Sequence, residues 1–139
     1  MIAFDTDVLT EILLGNAALV ARATAIPLRE QAVPVIVIEE IMRGRLSVIR
    51  QAEAGRGKAS ITRAYELFEE TFRDFRRLHI LSHTPQAEAL YQQWRQQGIR
   101  IATHDLRIAA LSVAHAARLI SRNRRDFDRV PGLMVEFWQ

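Results

Sequence analysis

The 139-residue chain contains no cysteine, which excludes disulfides and thiolate metal sites and suits a reducing cytoplasm, where we expect the protein to act. Its four prolines and six glycines are too thinly spread to form a linker, and no low-complexity segment or internal repeat is visible. No apolar run approaches membrane-spanning length. Asp5 and Asp7 interrupt the N-terminus, which lacks the basic-then-apolar order of a signal peptide. Neither common glycine-rich phosphate loop is present, which argues against nucleotide-driven chemistry, and nothing supports a serine-hydrolase arrangement. The histidines His79, His83, His104 and His115 show no ligand spacing with cysteine or a paired acid, so structural or surface roles are expected of them. His104, beside Asp105, is the exception to test.

What is present is an ordinary globular composition, 49% hydrophobic and 25% charged, long enough for one domain over residues 1–139 and too short for two. The basic side is unusual in kind: 18 of its 19 residues are arginine and only Lys58 is lysine. Arginine grips phosphate with a planar fork, although a genome rich in arginine codons gives the same bias. A net charge of +3 permits RNA binding without demanding it. The run Arg122-Asn123-Arg124-Arg125 is the stretch best suited to phosphate contact; its plainer reading is a solvated turn after a strand.

Apolar runs and turn signals alternate along the chain. Ile2–Phe4 reads as a first strand, followed by a short helix over Asp7–Leu14 that ends near Gly15 and a second over Ala17–Arg29. The β-branched run Val35–Ile38 behind Pro34 reads as a second strand. It leads into a helix with Ile38, Ile41, Met42, Ile49 and Ala52 on one face. A break at residues 54–58 and a cap at Ser60 open the next helix, whose apolar face is Ile61, Ala64, Phe68, Phe72 and Phe75; the two helices should form a hairpin. His79–Leu81 is a third strand. Thr84-Pro85 caps a helix running toward Trp94 and stopping near Gly98. A helix starting at Asp105 is apolar nearly all round and should be buried. Leu119–Ser121 and Met134–Trp138 complete the strands. Strands alternating with helices indicate a three-layer α/β/α sandwich with a mainly parallel central sheet.

Four acids fall beside the apolar runs or at the start of the helix beside one: Asp5, Glu40, Asp105 and Asp126. Ligands of open α/β sheets bind outside the carboxyl ends of the strands, so these carboxylates should meet in one all-oxygen pocket suited to Mg²⁺ or Mn²⁺. The chemistry of such a pocket is metal-assisted phosphodiester hydrolysis. Asp5 and Asp105 are the expected direct ligands, Asp105 doubling as the N-cap of its helix, with Asp126 ligating a second ion or orienting water. For any single acid, a solvated side chain or a helix cap is the simpler explanation; the coincidence of four weakens it.

These residues also carry a resemblance. Phe4-Asp5-Thr6-Asp7-Val8-Leu9 resembles the opening of PIN-domain ribonucleases, and Ile38-Glu39-Glu40-Ile41-Met42-Arg43-Gly44 their second acidic motif, a glutamate four residues before a glycine. His104-Asp105-Leu106-Arg107-Ile108-Ala109-Ala110 is similar to the third motif and Ser121-Arg122-Asn123-Arg124-Arg125-Asp126-Phe127 to the fourth. The closing Asp128–Leu133 segment also matches. In motif order, spacing and size the chain is similar to the VapC toxins of bacterial toxin–antitoxin modules. The resemblance implies a PIN-like fold and a divalent-metal-dependent endoribonuclease whose Asp5, Glu40, Asp105 and Asp126 surround Mg²⁺ or Mn²⁺. It also implies an RNA substrate, a cognate antitoxin and a homodimer, the last two seated on apolar surface of the helix hairpin and of the first helix (Leu9, Ile12, Leu13, Leu14). Ser121, Arg122, Asn123 and Arg124 are the candidate substrate contacts. Two departures stand out. Asp7 occupies a position where many relatives carry asparagine, and is expected to cap the first helix rather than join the metal shell. Ser121 replaces the usual threonine and keeps its hydroxyl. Glu39 competes with Glu40, and the spacing to Gly44 favours Glu40. Two other readings stay open: a PIN nuclease of RNA processing with no antitoxin, and a catalytically silent α/β interaction module.

Overall fold

Ile2–Phe4 form β1 at the centre of a five-stranded sheet in the computed structural model, which describes residues 1–139. The chain then forms α1 (Thr6–Leu13), which ends at Gly15 with φ +84°, a left-handed turn that favours glycine. It continues through α2 (Ala17–Thr24), capped by Asn16, to β2 (Gln31–Pro34). The hairpin is α3 (Val35–Glu53) and α4 (Ile61–Arg76), and β3 (His79–Leu81) follows. The last third comprises α5 (Pro85–Gln96), α6 (Thr103–Ala114), β4 (Arg118–Ser121), α7 (Arg124–Phe127) and β5 (Val135–Phe137).

The strand order is β3-β2-β1-β4-β5 and every pairing is parallel. β2 and most of β1 and β4 are buried at consecutive positions, so helices cover both faces. The strand order reverses at β1: the chain leaves β1 toward β2 and β3, then returns to its other side through β4 and β5. The crevice between the carboxyl ends of β1 and β4 is therefore the topological switch point of the sheet. Trp138 packs edge-on against Phe4 at 6.0 Å, and its amide donates to the Ser121 carbonyl at 2.9 Å, tying the C-terminus to the end of β4.

The second strand is not the β-branched run. Val35–Ile38 are the first turn of α3, and the strand is the preceding Gln31–Pro34. Propensity favours a strand at Val35–Ile38, but that run exposes Val35 and buries Ile36, Val37 and Ile41, a helical stripe that packs on the core. The true strand escaped notice because it opens on a polar residue. Gln31 is buried, and its amide donates to the carbonyls of Ala23 and Ile26 at 2.8 Å each, satisfying the end of α2. α2 stops at Thr24 rather than Arg29, because the proline at 27 disfavours helical backbone just before it. α6 begins at Thr103, so Asp105 lies in its first turn and is not the cap. On α4 the buried positions are Ala64, Thr71 and Phe75, whereas Ile61 and Phe72 are exposed. Thr71 takes the inward place because its hydroxyl donates to Leu67 O at 2.7 Å and accepts from Arg45 Nε at 2.9 Å, locking the hairpin.

Replacing Gln31 with leucine leaves the Ile26 carbonyl without its partner, while the Ala23 carbonyl keeps its bond from the Ile26 amide, and urea denaturation should show a loss of about 1 kcal/mol despite the gain in apolarity. Val35→Lys should cost no more than about 0.5 kcal/mol, because that side chain faces solvent. A large loss in Val35→Lys would restore the strand assignment.

Candidate active site

Asp5 leaves the end of β1 buried, 4% exposed, with its amide bonded to the Ile120 carbonyl of β4 at 2.9 Å. One carboxylate oxygen accepts from the Thr6 amide at 2.8 Å and the other from Ser121 Oγ at 2.7 Å. Asp5, not Asp7, is thus the N-cap of α1. Asp7 is exposed in the first turn and makes no hydrogen bond or ion pair of its own, contrary to the expectation that it caps the helix.

The bonds continue outward in both directions. Thr6 Oγ1 donates to Glu40 Oε1 at 2.7 Å, joining α1 to α3. Ser121 Oγ accepts from the Asn123 amide at 3.0 Å, Asn123 Nδ2 donates to Asp126 Oδ2 at 3.0 Å, and Asn123 Oδ1 accepts the Asp126 amide at 3.3 Å. Glu40, Asp5 and Asp126 are therefore linked through Thr6, Ser121 and Asn123. Thr6 is a site residue that the sequence reading missed; its only signals were its place directly after Asp5 and its hydroxyl. Asn123 and Ser121, read as substrate contacts, have polar atoms committed to this line.

Glu39 points elsewhere, pairing with Arg43 at 2.7 Å and with His104 Nε2 at 3.0 Å. Helical phase separates the two glutamates, since neighbouring positions on a helix point about 100° apart. The Glu39–His104 bond joins α3 to α6 next to Glu40 and Asp105, which gives His104 a structural role. Arg122 is exposed and unpaired, whereas Arg124 stacks on Phe137 at 4.3 Å and lies 3.9 Å from Asp128.

Asp105 stands outside the hydrogen-bonded line and is connected to it by charge alone. Burial pushes its carboxyl up to about 6, helped by the charges of Glu40, Asp126 and Asp7 and opposed by His104. Burial also lifts Asp5 to about 6, against the bonds from Ser121 and Thr6 that favour its charged form, with Asp105 and Asp7 adding repulsion. The donor set is all carboxylate oxygen, hard and anionic, which fits Mg²⁺ or Mn²⁺. As they stand, no three acidic or histidine side chains close to ion-binding spacing.

Both raised carboxyls leave the metal-free fold holding protons that the unfolded chain releases from about pH 4, so their contribution to stability is full below that value and is lost as pH rises through 6. The two-unit shift of buried Asp5 alone corresponds to about 3 kcal/mol. Glu88, drawn down to about 2 by Arg107, His83 and Gln92, contributes in the opposite sense, its share being present above about pH 4.5 and lost as pH falls toward 2, outside the interval between about pH 5 and pH 7.5. Urea melts in chelator should therefore show lower stability at pH 7.5 than at pH 5. A flat or rising profile across that interval would refute the shifts.

Residues 2–133 match the PIN domain family. Over 66 residues the chain is 33% identical to Ribonuclease VapC2 of Rickettsia felis, a stretch covering 45% of this chain and 49% of that protein. The match thus spans about half the length of that curated relative. The fold is similar to that in the VapBC2 complex of Rickettsia felis bound to a promoter DNA fragment, with TM-score 0.77 and 21% identity over 100% of both chains. A toxin–antitoxin complex from Klebsiella pneumoniae is also similar, with TM-score 0.72 and 22% identity over 96% of this chain and 95% of that one. With the family match running almost from end to end and the same parallel sheet beneath it, the chain belongs to the PIN-domain family.

Proposed function

We propose that this protein is a divalent-metal-dependent endoribonuclease acting as the toxin of a toxin–antitoxin pair. One observation carries the reading. Three carboxylates from separate elements are fixed by one line of hydrogen bonds at the switch point of the sheet, and a fourth, Asp105, is held near them with no bond of its own. An ion pair or a helix cap needs no such gathering; an all-oxygen cation site does. Family membership and likeness to a named ribonuclease support the same chemistry.

Asp5, Glu40, Asp105 and Asp126 would hold Mg²⁺ or Mn²⁺. When bound, the ion supplies Lewis-acid activation of water and offsets charge at the phosphate. The chain's own residues do the rest. Asp5, locked by Thr6 and Ser121, presents a fixed carboxylate. Asp105, free of hydrogen bonds, is able to adjust its distance. Asp126, steadied by Asn123, orients water. The arginines after β4 offer substrate contacts, Arg122 being better placed than Arg124, whose guanidinium is occupied by Phe137 and Asp128.

The partners follow from apolar surface. A groove of about 380 Å³, lined by Leu9, Ile12, Leu13, Val20, Ile26 and Leu28 among others, offers a seat for an antitoxin segment. Exposed Leu46, Ile61, Tyr65 and Phe72 on the hairpin suit a second copy of the chain. The toxin reading is favoured over an RNA-processing nuclease because the similar solved structures include toxin–antitoxin complexes.

Purified protein should cleave RNA in Mg²⁺ or Mn²⁺ and be silent in chelator. Asp5→Asn or Asp105→Asn should lower the rate at least about 100-fold, the order expected when charge stabilisation at the reacting phosphate is lost. Full activity in either variant would sink the site assignment.

Thermal melts provide a second readout. Wild type should gain about 2.7 kcal/mol when free Mn²⁺ is a hundredfold above its dissociation constant. Asp105→Asn should melt at or above wild type in chelator and respond little to the ion. Equal responses would mean that Asp105 is no ligand.

For the partners, light scattering should give twice the chain mass, and production in a bacterial host should halt growth unless the antitoxin is co-produced. A monomer at micromolar concentration would refute the dimer, and unimpaired growth with abundant active nuclease the toxin role.

A further inference from the structure

Beside Asp5 and Ser121 lies a second, smaller cavity of about 200 Å³ between α1 and the residue that follows β4. Its walls are Asp7, Thr10, Glu11 and Arg122, with no apolar side chain among them. Asp7 and Glu11 are four residues apart on α1 and share one face, and Thr10 lies beside them. Two like charges at that spacing cost a helix a few tenths of a kcal/mol, so their pairing does not serve the stability of α1. Arg122 forms no ion pair with either carboxylate although all three line one space. Glu11 spends one oxygen on Asn16 Nδ2 at 3.1 Å and keeps the other free, and Asp7 is bonded to nothing. The cavity thus presents two anionic acceptors and one forked donor, uncommitted and next to the acidic cluster.

We propose that this cavity receives a guanine base next to the cleaved bond and makes the nuclease selective for guanine at one fixed position. The inference rests on the ribonuclease reading above. Guanine is the base whose edge fits the wall chemistry: O6 accepts from the Arg122 fork, while the adjacent N1–H and N2 amine donate to the carboxylates. Adenine and cytosine each offer a single amine, leaving one carboxylate facing a ring acceptor or nothing. Uracil sets carbonyls on both sides of its one N–H, against the carboxylates. A volume near 200 Å³ suits one base rather than a larger ligand.

The test is cleavage of a random-sequence RNA pool in Mg²⁺, with the cut ends sequenced. Wild type should show about tenfold enrichment of guanine over adenine at one position relative to the cut, the discrimination expected of a paired base contact. Glu11→Gln, which keeps shape and the bond from Asn16 while removing charge, should bring the ratio within about threefold. Arg122→Gln should also erode the guanine preference; a rate loss spread evenly over all sequences would instead mean that Arg122 touches phosphate, overturning its base-reading role. Cleavage without guanine enrichment, or enrichment that survives Glu11→Gln, overturns the pocket assignment alone. Failure of wild type to cleave any RNA overturns the ribonuclease reading and this inference with it.

Discussion

The site depends on the line of hydrogen bonds that runs from Glu40 through Thr6, Asp5, Ser121 and Asn123 to Asp126. Each link joins an element that folds for its own reasons: α3 through its apolar stripe, β1 and β4 through parallel pairing, α7 through its Asn123 cap. Parallel pairing is the underlying constraint, because it brings every strand's carboxyl end to one edge. With Ile2 opposite Arg118 and Phe4 opposite Ile120, the residues that follow, Asp5 and Ser121, meet in the crevice. A change of register would turn these side chains to the opposite face. The hydroxyl at position 121 matters for the same reason, since it gives to Asp5 and receives from Asn123 at once.

Electrostatics runs against this order. Asp5 and Asp105 are both lifted to about 6, chiefly by burial, and the neighbouring acids repel one another. The fold holds Asp5 in place with bonds from the Thr6 amide and the Ser121 hydroxyl. Asp105 receives none and is carried by α6, whose buried Leu106, Ile108, Ala109, Ala110 and Leu111 anchor it in the core. Sites whose chemistry depends on charge commonly sacrifice stability in this way.

The arginine-rich composition resolves into two populations. Arg95 clamps the carbonyls of Ile99 and Ile101 and stacks on Tyr91; Arg107 grips Glu88 with two nitrogens and covers the same ring; Arg22 lies over Trp138 and pairs with Glu136. These are structural uses, in which the planar fork satisfies several acceptors at once. Arg122 remains unpaired beside the acidic line, so composition alone was a poor guide to which arginines serve the fold and which stay free.

Most helices and strands, and the caps at Ser60 and Thr84-Pro85, were legible in the chain, because these caps, Gly15 and the apolar periodicities are local signals with local causes. The four acids were legible too, as carboxylates recurring beside apolar runs. Tertiary structure alone decided the rest. Val35–Ile38 became helix because burial of Ile36 and Val37 outweighed β-propensity, and Gln31 is accommodated in a buried strand because its amide reaches the carbonyls of Ala23 and Ile26. Glu40 rather than Glu39 reached Asp5's side because helical phase, which depends on where α3 begins, turned one inward and the other toward His104. Thr6 joined the site through a hydrogen bond to Glu40, 34 residues away, which no local pattern records, whereas Asp5 took the cap from Asp7 through a bond from the amide of its neighbour Thr6. Local propensity is a property of a few residues; which of them meet is decided by the core that forms between them.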